Sequence, residues 1–185
     1  MTDPRTFIVA ETLRDGTAVS IRAIRPDDKR RVFEAFANLD RKSVFTRFFN
    51  YKTSLTDAEI KQFTDVDFDH AVALVVTTEL SRGEEIIAGG RYVSADSPRP
   101  GRSAELAFTT EENYQARGIA GLLFGHLVQI ARENGILQLE ADVLAENRAM
   151  LTVFRRSGLP MQQHHDGDVI HVTLWLGPEK RGSQR

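Results

Sequence analysis

The run Gln115-Ala116-Arg117-Gly118-Ile119-Ala120 gathers small and basic residues where an apolar helical stripe begins. Such a run can grip an anion. At a helix start several backbone N–H groups have no intrahelical acceptor, and the positive end of the helix dipole lies beside them. Gly118 lets the main chain approach a ligand where a Cβ would collide, Ala120 keeps the following turn small, and Arg117 can add a cation for phosphate. Each hydrogen bond to a charged oxygen contributes ~1.5–3 kcal/mol, so a few such amides hold a diphosphate at micromolar concentration. The alternative is an ordinary helix start with a capping glycine. Neither main nucleotide fingerprint fits: G-x-x-x-x-G-K-[ST] is missing, and Gly118, Gly121 and Gly125 cannot carry G-x-G-x-x-G.

The elements that must position this run follow from periodicity. Residues 6–13 and 17–24 flank Asp15-Gly16, a hairpin turn signal. Val32, Phe33, Phe36 and Leu39 recur at helical spacing behind Asp27 and Asp28, and Thr56 stands three residues before Glu59, the capping-box spacing of another short helix. "AVALVVTTEL", "EIIAGGRYVSA" and "SAELAFTT" form a three-strand meander, the last alternating Ala104, Leu106 and Phe108 against Glu105, Ala107 and Thr109. Ile119, Leu122, Leu123, Leu127, Ile130 and Ala131 make one helix face that stops at "ENG". A strand "ILQLEADVL", a helix "NRAMLTVFRRSG" and a hairpin closing through "DG" complete the chain. Strand–helix–strand after residue 103 demands a right-handed parallel crossover, whereas the earlier strands are antiparallel. The expected fold is α/β of the α+β kind: a mixed, mostly antiparallel sheet with a central parallel pair and helices on both faces. One domain over residues 1–177 and a flexible tail over 178–185 are expected.

Composition narrows the function. The 185 residues include no cysteine, which excludes disulfides, thiolate zinc sites and thiol catalysis, and they suffice for a self-supporting core. The formal charge is −2 with scattered basic residues, so no footprint for nucleic acid stands out. Asp3, Arg5 and Glu11 interrupt any leader-like core, and no apolar run approaches a membrane span; a cytoplasmic protein is expected. Asp65, Asp67 and Asp69 are spaced like a calcium loop, but His70 replaces the glycine and Val76 the terminal glutamate. His164 and His165 are adjacent on a strand and point to opposite faces, so no metal is expected. Phe45, Phe48 and Phe49 with Arg47 border an acceptor groove or belong to the core.

"YQARGIAGLL" resembles the acyl-CoA pyrophosphate loop of the GNAT superfamily of N-acyltransferases, [Q/R]-x-x-G-x-[G/A], through Gln115, Gly118 and Ala120. About 30 residues on, Asn147, Phe154 and Gly158 are similar to the family's next pattern. "AELAFTTEENYQARGIAGLL", "VLAENRAML" and "TDVDFDHAVALV" more narrowly resemble the catalytic domain of Pat-type bacterial protein lysine acetyltransferases, over roughly residues 18–160.

The resemblance implies direct attack of an amine on the thioester of acetyl-CoA. A lysine ammonium has a pKa of ~10.4, so a carboxylate within reach is the natural base. Glu105 matches the catalytic glutamate of the Pat-type motif and alternates away from Leu106 and Phe108; Glu140 and Asp142 are the fallback carboxylates. The backbone of Phe108, Thr109 and Thr110 is implied to pair with the pantetheine arm, and Gln115, Ala116, Arg117, Gly118, Ile119 and Ala120 to hold the diphosphate. Asn147 bonds the same arm or caps its own helix. Phe154 stands where many members carry a general-acid Tyr; a phenyl ring donates no proton, so it is expected beside the thioester or in the core. The implied acceptor is a protein lysine. A small-amine acceptor, or a non-catalytic acyl-CoA-binding sensor, is the alternative, and a monomer or homodimer is expected.

Overall fold

The computed structural model describes residues 3–40, 44, 53–81, 83–94 and 102–177. The elements are β1 (Ile8–Thr12), β2 (Ala18–Ala23), α1 (Lys29–Ala37), α2 (Asp57–Thr64), β3 (Ala71–Leu80), β4 (Gly83–Ser94), β5 (Arg102–Thr110), α3 (Ile119–Glu133), β6 (Ile136–Leu144), α4 (Arg148–Arg156), β7 (Met161–Asp166) and β8 (Val169–Trp175). All eight strands share one sheet in the order β1-β2-β3-β4-β5-β6-β8-β7. Every neighbouring pair is antiparallel except β5–β6, the crossover that α3 makes.

Local chemistry accounts for most of these boundaries. Gly16 has φ +88° and the Asp15 carboxylate accepts the Thr17 N–H at 3.0 Å, which closes the β1–β2 hairpin. At α2 the Thr56 hydroxyl accepts the Glu59 N–H at 3.3 Å while the Glu59 carboxylate accepts the Thr56 N–H at 2.9 Å, a reciprocal cap. The spaced aspartates before β3 serve the turn itself: Asp67 Oδ1 accepts from Asp69, His70 and Ala71 N–H. Those bonds, that of Ala71 foremost, outweigh partial burial and hold the Asp67 carboxyl well below the usual range.

The main core lies between the sheet and α3, where Ile119, Leu123, Leu127 and Ala131 are at most 1% exposed. On α1 the helical face differs from the expected one. Val32, Ala35, Phe36 and Leu39 pack inward, whereas Phe33 is 50% exposed, because at 100° per residue it falls a quarter turn beyond that face. Phe45, Arg47, Phe48, Phe49 and the tail 178–185 lie outside the described residues. Among the described residues no helix is long and apolar enough to cross a membrane.

Gly90 lets α3 settle on the sheet. A Cβ there would stand 2.8 Å from the Phe108 ring and 3.0 Å from a Leu127 methyl. Gly90→Ala is therefore expected to displace Phe108 and lower stability by about 1–3 kcal/mol, measurable as a reduced urea midpoint with an unchanged m-value.

Candidate active site

The parallel pair opens. Its register runs Ser103↔Gln138, Ala104↔Leu139 and Glu105↔Glu140 and then ends, although β5 continues to Thr110 and β6 to Leu144. Beyond that point β5 stays with β4 and β6 with β8, so the two halves of the sheet diverge into a gap with Glu105 and Glu140 at its closed end. The Glu111 N–H donates to Ile87 O at 2.9 Å on the β4 side. By strand alternation the main-chain groups of Phe108 and Thr110 then face the gap. Gln115 Nε2 takes the Thr110 carbonyl at 3.2 Å, which leaves Phe108 presenting an open N–H and C=O.

At the wide end the chain turns through Glu112–Tyr114 and enters α3. Ala116 at φ 61° and Gly118 at φ 94° both take left-handed backbone, and glycine alone takes the second value without strain. The N–H groups of Ala116, Arg117, Gly118, Ile119 and Ala120 find no acceptor among the described residues, whereas those of Gly121 and Leu122 bond Gly118 O. Five unpaired donors around a helix mouth are an arrangement that takes anions. Gln115 differs from the expectation: its N–H is spent on Glu112 O at 3.1 Å, and its side chain braces Thr110.

Arg117 also departs from a free phosphate cation. Its guanidinium pairs with Asp15 at 2.5 Å and lies 4.9 Å from the centroid of the Tyr114 ring. Arg14 donates its N–H to Arg117 O at 3.3 Å, and its side chain passes beside Gly118. The β1–β2 turn thus clamps the loop, a contact between residues about a hundred positions apart that no local pattern announces.

Glu105 is exposed, between buried Ala104 and Leu106, on the face shared with Arg91, Ala107 and Thr109. Glu140 accepts from Gln138 at 2.7 Å, and Asp142 pairs with His171 at 2.5 Å. Asn147 Oδ1 accepts the Met150 N–H at 3.2 Å, so it caps α4, and its Nδ2 has no acceptor among the described residues. Phe154 is fully buried, 5.2 Å from the Phe124 ring and 6.5 Å from Phe108. It packs in the core between Phe108 of β5 and Phe124 of α3, directly beneath the site. Among the described residues no group of three His, Asp or Glu is arranged to hold a metal.

Above the β4–β5 face a second cavity opens under α1 and α2, lined by Val32, Phe36, Leu55, Phe63, Arg91 and Thr109. The Arg91 guanidinium stands 5.1 Å from the Phe63 centroid. Burial pulls its pKa below the usual value, and Glu105 offsets only part of that. Sequence reasoning passed over Arg91, Arg14 and Asp15. For Arg91 a signal existed, a lone cation inside the apolar run of β4.

Comparison with known proteins bears on this arrangement. The family model for an acetyltransferase (GNAT) domain matches residues 19–160. The chain is 29% identical over 166 residues to the acetyltransferase PA5475 of Pseudomonas aeruginosa, covering 87% of this chain and 86% of that protein. It is 32% identical over 150 residues to the acetyltransferase Pat of Mycolicibacterium smegmatis, covering 79% of this chain but 42% of that relative's length. Among solved structures, the GNAT domain of S. lividans PAT superposes with a TM-score of 0.80 at 30% identity, over 91% of this chain and 96% of that one.

Proposed function

This chain belongs to the GNAT acetyltransferase family, and from that premise we propose that it moves an acetyl group from acetyl-CoA to the side-chain amine of a protein lysine. The observation that carries this reading is the gap between β5 and β6, with five open amides at one end and a carboxylate at the other. The amides of residues 116–120 take the diphosphate, and the Phe108 main chain pairs with the pantetheine arm as an added strand would. Asn147, on the β6 side, offers its free Nδ2 to the same arm.

The reacting carbonyl then lies near Glu105, which accepts the amine proton directly or through one water. A C–N bond forms as the C–S bond breaks. The departing sulfur, whose thiol has a pKa of ~8.5, leaves as thiolate and takes a proton from solvent, so buried Phe154 has no proton to supply and none is required. The motif resemblance to Pat-type bacterial protein lysine acetyltransferases, together with the likeness to Pat of M. smegmatis and to the GNAT domain of S. lividans PAT, supports a protein lysine as acceptor.

Two measurements test the reading. Acetyl-CoA at a hundred times its dissociation constant contributes ~2.7 kcal/mol and is expected to raise the melting temperature by roughly 5–11 °C. Free CoA is expected when lysine-bearing proteins or peptides are added and to be slower with polyamines and free amines. No melting shift at millimolar acetyl-CoA would overturn cofactor binding, and a shift without CoA release from any amine would leave a sensor.

A further inference from the structure

Two arginines on one face of the sheet, Arg22 and Arg91, are treated very differently. Arg22 is 2% exposed and fully matched: its guanidinium makes a two-point pair with Asp28 at 2.7 and 2.8 Å and reaches Glu84 at 2.9 Å. Arg91 is half-buried and has no hydrogen-bond or ion-pair acceptor among the described residues. Withdrawing a cation from water without a partner is costly, so such a group is retained where an anion arrives from outside.

The surroundings state which anion. Around Arg91, α1 contributes Val32, Ala35 and Phe36, α2 contributes Phe63, and β3 contributes Ala73 and Val75, all uncharged. On β5 the facing residue is Ala107, with Glu105 two positions before it and Glu111 four after. Glu105 acts on Arg91 through space without an ion pair. Glu111, at the other end of the cavity, has its carboxyl raised by burial first and by Glu85 and Glu112 besides. A planar carboxylate matches the guanidinium fork, and a short carbon chain matches the apolar walls.

We propose that Arg91 receives a carboxylate carried into the α1–α2 cavity by one of the two substrates, either as the far end of the acyl group or on the amine acceptor close to its reacting nitrogen. Arg91 and Glu105 are diagonal neighbours on one face, about 7–8 Å apart between Cα atoms, so an amine at Glu105 and a carboxylate at Arg91 belong to one small molecule or one side chain and its neighbour. This rests on the acetyltransferase reading above and specifies its substrate class.

Succinyl-CoA and butyryl-CoA, equal in length and differing in a terminal carboxylate, separate the first source by titration calorimetry. With acetyl-CoA as donor, amino acids against their carboxamides separate the second by CoA release. Wild type is expected to favour the carboxylate member of one pair by about tenfold or more, a charge-assisted bidentate contact. Arg91→Met is expected to bring that preference within about twofold while acetyl-CoA affinity is kept. Its melting temperature is expected to match or exceed wild type, since an unpaired charge is removed. Arg91→Lys keeps part of the preference. No preference in either pair, or a preference intact in Arg91→Met, overturns the assignment while the acetyltransferase reading stands. Failure of all three thioesters to bind wild type overturns both.

Discussion

Glu105→Gln is expected to lower turnover with acetyl-CoA and an amine acceptor by about 10²–10⁴-fold at pH 7. The amide is nearly isosteric and keeps the strand alternation, but it cannot take a proton. Because Glu105 stands at the closed end of the gap and the open amides of residues 116–120 at the other, the acetyl-CoA melting shift is expected to survive unchanged. The fall therefore belongs to kcat, with KM for acetyl-CoA close to wild type. Glu140 is the internal control: it is the register partner of Glu105 and already accepts from Gln138. Full activity in Glu105→Gln combined with its loss in Glu140→Gln would transfer the role across the pair, and full activity in both would leave solvent as the base.

Asp28→Ala is expected to destabilise the fold by about 3–5 kcal/mol, lowering the melting temperature by roughly 6–20 °C. Asp28 is 0% exposed, takes two Arg22 nitrogens and the Arg25 N–H, and also meets Arg31 at 3.2 Å. Removing it leaves Arg22 buried with Glu84 as its one carboxylate, beside the Ala23 carbonyl. Burial by itself would raise the Asp28 carboxyl, but the bonds from Arg22 and Arg25 outweigh it and hold it below the ordinary value; Arg22 does the same for Glu84. The sign follows from linkage. Carboxyls depressed in the folded state add stability that is fully present above their unfolded values of ~3.9 and ~4.3 and is lost as pH falls through the folded ones. Urea midpoints are thus expected to be flat in this respect from pH 6 to 8 and to drop below about pH 4. A drop equally steep in Asp28→Ala would assign the acid sensitivity elsewhere.

The chain by itself determined what depends on near neighbours. Two-residue alternation put Ala104 and Leu106 inward and Glu105 outward, Asp15-Gly16 set a turn, Thr56 and Glu59 closed a cap, and the stripe from Ile119 to Ala131 made the buried helix face. These are relations over two to four residues, which backbone geometry translates directly into structure. They also located the loop at 115–120 and the single parallel crossover.

Only the tertiary structure decided which groups those residues meet. The β5–β6 gap exists because β4 and β8 each hold one strand of the pair, a competition invisible in either strand's own residues. Arg117 is tied to Asp15, Phe154 turns into the core, and of two arginines on one face of the sheet Arg22 has its carboxylates while Arg91 has none among the described residues. Asp15 lies 102 positions from Arg117 and Glu84 lies 62 from Arg22, and the free energy of a charge or a ring depends on that company more than on the residue's own type.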